Sequence, residues 1–167
     1  MLAINPVEWF VNLSPEWATF FISMIPITEI RAAIPIGIEV YHLPIWKVWV
    51  LAVIGDMIPA AFILFLVPWF HKWAVKNRFF GKGLAKILRR AEKKFAGKHA
   101  KYGALGLVIF VGIPLPLTGS WTGSLAACVF NIPYKKALRL IFYGVCIAAT
   151  LITLITLFAG EAVRAIL

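Results

Sequence analysis

Two stretches decide the reading of this chain: Ile25-Pro26-Ile27-Thr28-Glu29-Ile30-Arg31-Ala32-Ala33-Ile34-Pro35 and Gly112-Ile113-Pro114-Leu115-Pro116-Leu117-Thr118-Gly119-Ser120-Trp121-Thr122-Gly123. Each breaks an apolar segment at a Pro-containing polar turn, and each is followed by a new helix start. The surroundings decide where such turns can lie. Of the 167 residues, 62% are hydrophobic and 14% charged, which puts the chain on the membrane side of average composition. At membrane depth, irregular backbone is tolerated only where protein buries it or where it lines a cavity. The two breaks are therefore expected inside the bilayer, at the functional core.

Around them lie two long apolar segments, 44–70 and 135–160. Each exceeds the roughly 20 helical residues that cross a hydrocarbon core, so both are expected to span. Residues 1–13 read as an interfacial helix. No Lys or Arg precedes Arg31, so the start lacks the positive region of a secretory signal. Cys128 and Cys146 sit in apolar runs without CxxC spacing and read as reduced packing residues. His42, His71 and His99 are far apart, and no metal site is expected.

Charge sets the topology. The net charge of +10 resides in residues 72–101, which hold eleven Lys or Arg and one acid, Glu92. A basic segment joining two spans belongs on the cytoplasmic side. Within 71–101, Leu84, Ile87, Leu88, Ala91 and Phe95 recur at helical spacing among basic residues. That predicts an amphipathic helix on anionic lipid, or a recruiting surface for a partner. Nucleic acid is not an expected partner, because the basic cluster joins membrane segments.

Length then forces a choice on residues 102–134. Both ends are basic, with Lys135, Lys136 and Arg139 after the second. Two full crossings need about 40 residues, and one crossing would put a basic cluster outside. A re-entrant hairpin that turns at the second break solves both problems. The same reasoning makes 14–43 a re-entrant hairpin opening on the other side. Ser14-Pro15-Glu16 supplies its helix start.

An internal repeat joins the halves. Aligned on Pro44 and Pro133, the pairs Lys47/Lys136, Leu51/Leu140 and Gly55/Gly144 coincide. Upstream, Ile25-Pro26 pairs with Ile113-Pro114. The units start on opposite sides, so the expected fold is all-α, an integral membrane protein of two inverted repeats, each a re-entrant hairpin plus a span. Many secondary transporters are built this way.

Glu29-Ile-Arg31-Ala-Ala-Ile-Pro35-Ile-Gly37 resembles the ELRGAIPLGI-type signature of the small multidrug export family, and Pro114-Leu-Pro116-Leu-Thr118-Gly-Ser-Trp121-Thr122-Gly123 resembles its PLPGTGAWTG motif. The chain departs from these patterns at Ala32 and Leu117, where Gly is usual. Through that family it is similar to the DedA superfamily, whose members are thought to move lipids. The resemblance implies paired re-entrant loops, functional acids and arginines, and the plasma membrane of a prokaryote. The DedA second hairpin typically carries arginines, and residues 112–123 have none.

Seven residues are the candidate substrate- or ion-binding set: Thr28, Glu29, Arg31, Asp56, Thr118, Ser120 and Trp121. The second arm of each hairpin points its N-terminus at the membrane centre, which favours anions. Thr28 is expected to cap the first of these arms, and Thr118 or Ser120 the second. Arg31 offers a fork suited to phosphate or carboxylate. Asp56 lies about 18 Å into its span, where an ionised carboxyl needs a proton or a partner such as Arg31. Trp121 lines a cavity or packs the hairpins. No cofactor is expected beyond H+ or Na+ as coupling ion, and no nucleophile–base pair or metal set suggests an enzyme. The expected function is ion-gradient-coupled transport of an anionic amphiphile such as a lipid phosphate. Proton-coupled small-drug efflux and a membrane scaffold remain alternatives, and a homo-oligomer would fit the small enclosed volume.

Overall fold

The computed structural model describes residues 13–76, 100–114, 118–130 and 132–166. The expected interfacial helix at 1–13 and the amphipathic helix within 71–101 lie almost wholly outside them. The described residues form helices α1 (Pro15–Met24), α2 (Glu29–Pro35) running into a π-helical turn (Ile36–Val40), α3 (Ile45–Lys76), α4 (Ala100–Gly112), α5 (Ser120–Val129) and α6 (Tyr134–Ile166). No strand occurs among them.

Two of these helices, over Ile45–Leu66 and Tyr134–Ala159, are long and apolar enough to cross a membrane. Their faces show what surrounds them. Along α3, Val48, Ala52, Asp56, Ala60 and Leu64 are buried at a spacing of four. Trp46, Val50, Ile54, Ile58, Phe62 and Leu66, two positions out of phase, are exposed. Along α6, Ala137, Ile141, Val145, Ala149 and Ile152 are buried, while Tyr143, Ile147, Leu151 and Phe158 are exposed. Only 44% of each apolar stretch is buried. A helix apolar all round whose outer face meets no protein suits lipid as its solvent. The hydroxyls of Thr150, Thr153 and Thr156 on α6 donate to carbonyls four residues back, so they add no unmet donors to that surface.

The chain divides into two compact units, Met1–Ile58 with Val145–Leu167, and Pro59–Gly144. In the first, Ser14 takes the N-cap position of α1, with Pro15 and Glu16 in the first turn. The Lys47 ammonium donates to the Glu16 carboxylate at 2.8 Å, tying the start of α1 to the start of α3. Pro26 follows the end of α1, where the residue before a proline is pushed out of helical geometry; Ile25 is extended accordingly. The turn brings α2 back against α1. Pro35 closes α2 because it has no N–H for its own turn. The chain widens there, and Tyr41 N–H reaches the Ile36 carbonyl five residues back. Ala18, Ile22, Ile30, Ala33 and Ile34 form the apolar interior with Val48 and Ala52 of α3.

The second unit holds α4 and α5 on either side of the second break, whose residues 115–117 lie outside the described residues. Among the described residues, α4 covers 13, about 20 Å at 1.5 Å per residue, and α1, α2 and α5 are shorter. Two glycines sit at close contacts with these arms. A Cβ on Gly55 of α3 would overlap Ser23 and lie 2.5 Å from the Phe20 carbonyl oxygen of α1. A Cβ on Gly144 of α6 would lie 2.7 Å from Val111 Cβ and 3.0 Å from the Val108 carbonyl oxygen of α4. The two glycines that align in sequence thus do one job, letting the first arm of each hairpin press on a long helix. At Gly106, by contrast, a Cβ would meet nothing within 4 Å.

Candidate functional site

The first unit holds three of the expected charged residues. Glu29 and Asp56 are 4% and 1% exposed. Asp56 owes its burial to register, sitting midway along the inner stripe of α3. Glu29 owes it to the turn. Its N–H donates to the Ile25 carbonyl at 2.8 Å, and its φ of 44° is left-handed. A non-glycine residue there costs on the order of 1 kcal/mol. Arg31 Nη2 lies 3.7 Å from Glu29 Oε2, and the side chains are 23% and 5% exposed. The guanidinium is the accessible member of the pair.

Thr28 occupies the N-cap position of α2 but makes no cap bond. Its hydroxyl turns the other way and donates to the Ile22 carbonyl at 2.9 Å, with a longer contact to Ile25 at 3.5 Å. The reason lies in the backbone: Thr28 is in the helical region, φ −89° and ψ −48°, whereas a capping side chain needs extended geometry. The expected cap is thus corrected to a clasp on the last turn of α1.

In the second unit the same substitution of roles appears. Thr118 Oγ1 donates to the Ile113 carbonyl at 2.8 Å, just beyond the end of α4. The N-cap of α5 is Gly119, in extended backbone. Its N–H donates to Thr122 Oγ1 at 3.1 Å, the return half of a capping box. Thr122, not Thr118 or Ser120, satisfies this helix start. Ser120 is fully buried. Ser124, also fully buried, donates to the Ser120 carbonyl at 2.6 Å and lies 3.3 Å from the Ala60 carbonyl of α3. Trp121 differs from its neighbours, for its indole N–H is buried with no acceptor.

Sequence reasoning found the acids and the arginine but missed Thr122 and Ser124. Thr122 stands three residues after an N-cap glycine, the spacing of a capping box, and that signal was available. Ser124 carried no local signal, because its contact with Ala60 joins residues 64 apart. Among the described residues, no three of His, Cys, Asp and Glu converge to hold a metal. The arrangement offers two buried carboxyls and a guanidinium beside one of them.

These features define an all-helical membrane protein with ionisable groups enclosed among its helices. The family described as "Putative small multi-drug export protein" matches residues 29–151, and the chain belongs to that family. No curated protein and no solved structure matches it.

Proposed function

We propose that this protein is an ion-coupled transporter of anionic amphiphiles, with Glu29 and Asp56 as proton-carrying groups and Arg31 as the anion-binding group. One observation carries the reading: of the Glu29–Arg31 pair, only the guanidinium has substantial exposure, so an arriving head group meets the cation. With Glu29 ionised, the carboxylate competes for Arg31. A proton on Glu29 ends that competition and leaves the fork to a phosphate or carboxylate. Proton and anion then bind together, which lowers the cost of taking charge out of water. Intramembrane ionisable groups are functional by default for the same reason.

The architecture proposed for this task is a pair of inverted repeats with re-entrant hairpins, in a prokaryotic plasma membrane with residues 72–101 cytoplasmic. The short arms and the matched roles of Gly55 and Gly144 support it. A second reading, efflux of cationic drugs in exchange for protons, is favoured by the surplus of acids over bases among Glu29, Asp56 and Arg31. There cargo and proton compete for the carboxyls.

The two readings predict opposite signs. In proteoliposomes, acid on the cargo side should speed entry of dodecyl phosphate. Arg31→Ala should abolish that entry, and Glu29→Gln and Asp56→Asn should each remove its pH dependence. Transport of tetraphenylphosphonium against a proton gradient, with dodecyl phosphate left behind, would decide for drug exchange. Transport unchanged in all three variants would refute both.

A further inference from the structure

Lys47 and Lys136 coincide when the chain is aligned on Pro44 and Pro133, yet their surroundings differ. Lys47 donates to Glu16 at 2.8 Å. Lys136 stands beside Lys135 and three residues before Arg139. All three are exposed, and none pairs with an acid among the described residues. Helical geometry gathers them. At about 100° per residue, Lys135, Arg139 and Lys136 fall in that order within about 100° of arc on α6. Buried Ala137 and Ile141 lie on the opposite side. One turn beyond Arg139, on the side of the cations, Phe142 and Tyr143 are exposed with ring centroids 6.0 Å apart.

This placement is costly for the helix alone. Cations at a helix start oppose the partial positive charge of its free N–H groups. Arg139 lies inside the apolar stretch that begins at Tyr134, by about 8 Å at 1.5 Å per residue. A guanidinium there reaches back towards polar surroundings and an anion. Topology asks for cations near the end of a span. It does not ask for their gathering on one exposed side, above two aromatic rings.

We propose that this face of α6 is a docking site for one anionic glycerophospholipid. Its phosphate is held among Lys135, Lys136 and Arg139, and an acyl chain lies against Phe142 and Tyr143. Charge complementarity chooses the head group, and Arg139 supplies a fork for two phosphate oxygens. The rings choose lipid over free phosphate or an acidic protein segment, since neither would cover them. None of Glu29, Arg31 and Asp56 takes part, so the site is independent of the transport reading.

A photoreactive benzoylphenylalanine in place of Tyr143 reports the neighbouring molecule directly. The full chain is reconstituted in phosphatidylcholine liposomes holding a minor share of phosphatidylglycerol with matched acyl chains. After irradiation, mass spectrometry identifies the crosslinked lipid. Phosphatidylglycerol should be enriched over its bulk share. Each cation near an anionic surface is worth about a fivefold change in affinity, so Lys135→Gln, Lys136→Gln and Arg139→Gln should each lower the crosslinked ratio by about that factor. The triple variant should return it to the bulk ratio. Residues 72–101 are intact throughout, so enrichment that survives the triple variant belongs to that basic segment and overturns the proposal. A bulk ratio in the chain with all three cations overturns it too, as does a crosslink to a second copy of the chain. The same probe in place of Val50, exposed beside the paired Lys47, should return the bulk ratio; equal enrichment there overturns the proposal. That comparison keeps all three cations in place, so a variant that fails to fold does not decide the matter.

Discussion

Arg31 lies 3.7 Å from Glu29 although only two positions separate them. Residues two apart on a regular helix point to different sides. The left-handed φ of 44° at Glu29 resolves the conflict, because it turns the first residue of α2 out of the helical series and redirects its carboxyl towards Arg31. Backbone strain and ion pair are thus one feature. If the carboxyl is the reason for the strain, removing it with and without relieving the backbone should separate stability from function. Glu29→Gly should be more stable than Glu29→Gln by about 1 kcal/mol, because glycine adopts this φ without strain. Both variants should lose proton-dependent transport equally. Unfolding titrations in mixed detergent, run beside the transport assay, check both halves. A stable, fully coupled Glu29→Gly would refute the role given to the carboxyl.

The Glu16–Lys47 pair makes a prediction about pH. The hydrogen bond from Lys47 is the largest influence on the Glu16 carboxyl and holds it below its ordinary value of 4.5. A carboxyl lowered in the folded state contributes stability that is fully present above that ordinary value and is lost as pH falls through the folded one. The melting temperature should therefore drop on acidification below about pH 4.5, in part through this pair. In Lys47→Met that component should vanish, leaving a shallower acid limb. Both groups are partly exposed, so 1 M salt should blunt the effect in the wild-type protein.

The glycines test the repeat. Gly55→Ala and Gly144→Ala each push a methyl into the backbone or Cβ of a neighbouring arm. Overpacking of this kind costs about 1–3 kcal/mol. Gly106→Ala meets open space and replaces the poorer helix former, so it should be neutral or stabilising by up to about 1 kcal/mol. If Gly55 and Gly144 serve equivalent contacts, their alanine variants should lose similar stability. A large loss at one and none at the other would leave the alignment on Pro44 and Pro133 without structural meaning.

How much of this was legible follows from the range of each signal. Helix positions were readable because apolar runs and Pro26, Pro44, Pro114 and Pro133 act locally on the backbone. The burial of Glu29 and Asp56 was readable because an acid in an apolar run has few places to go. The hydroxyls were not. Thr28 and Thr118 sit where a cap belongs, and only the backbone angle at Thr28 and the extended Gly119 show that neither caps. The Glu16–Lys47 bond joins residues 31 apart, and sequence offered two charged groups with nothing to pair them. The contact of Ser124 with Ala60 was hidden for the same reason.

Those hydroxyls carry a prediction of their own. Thr28 and Thr118 each reach back to a carbonyl at the end of the arm they follow, Ile22 and Ile113 respectively. Carbonyls at a helix end lack the regular intrahelical donor, and in hydrocarbon water cannot replace one; Ile22 otherwise accepts only a long bond from Ile25 N–H at 3.3 Å among the described backbone contacts. Thr28→Val and Thr118→Val keep the β-branched shape and delete the donor. Each should lower stability by about 0.5–1.5 kcal/mol, with larger losses in a bilayer than in detergent, where water reaches the turn. Serine at either position keeps the hydroxyl and should restore most of the loss. Equal stability of the valine variants in nanodiscs and in detergent would place both turns within reach of water, and would count against the re-entrant hairpins on which the proposed transport rests.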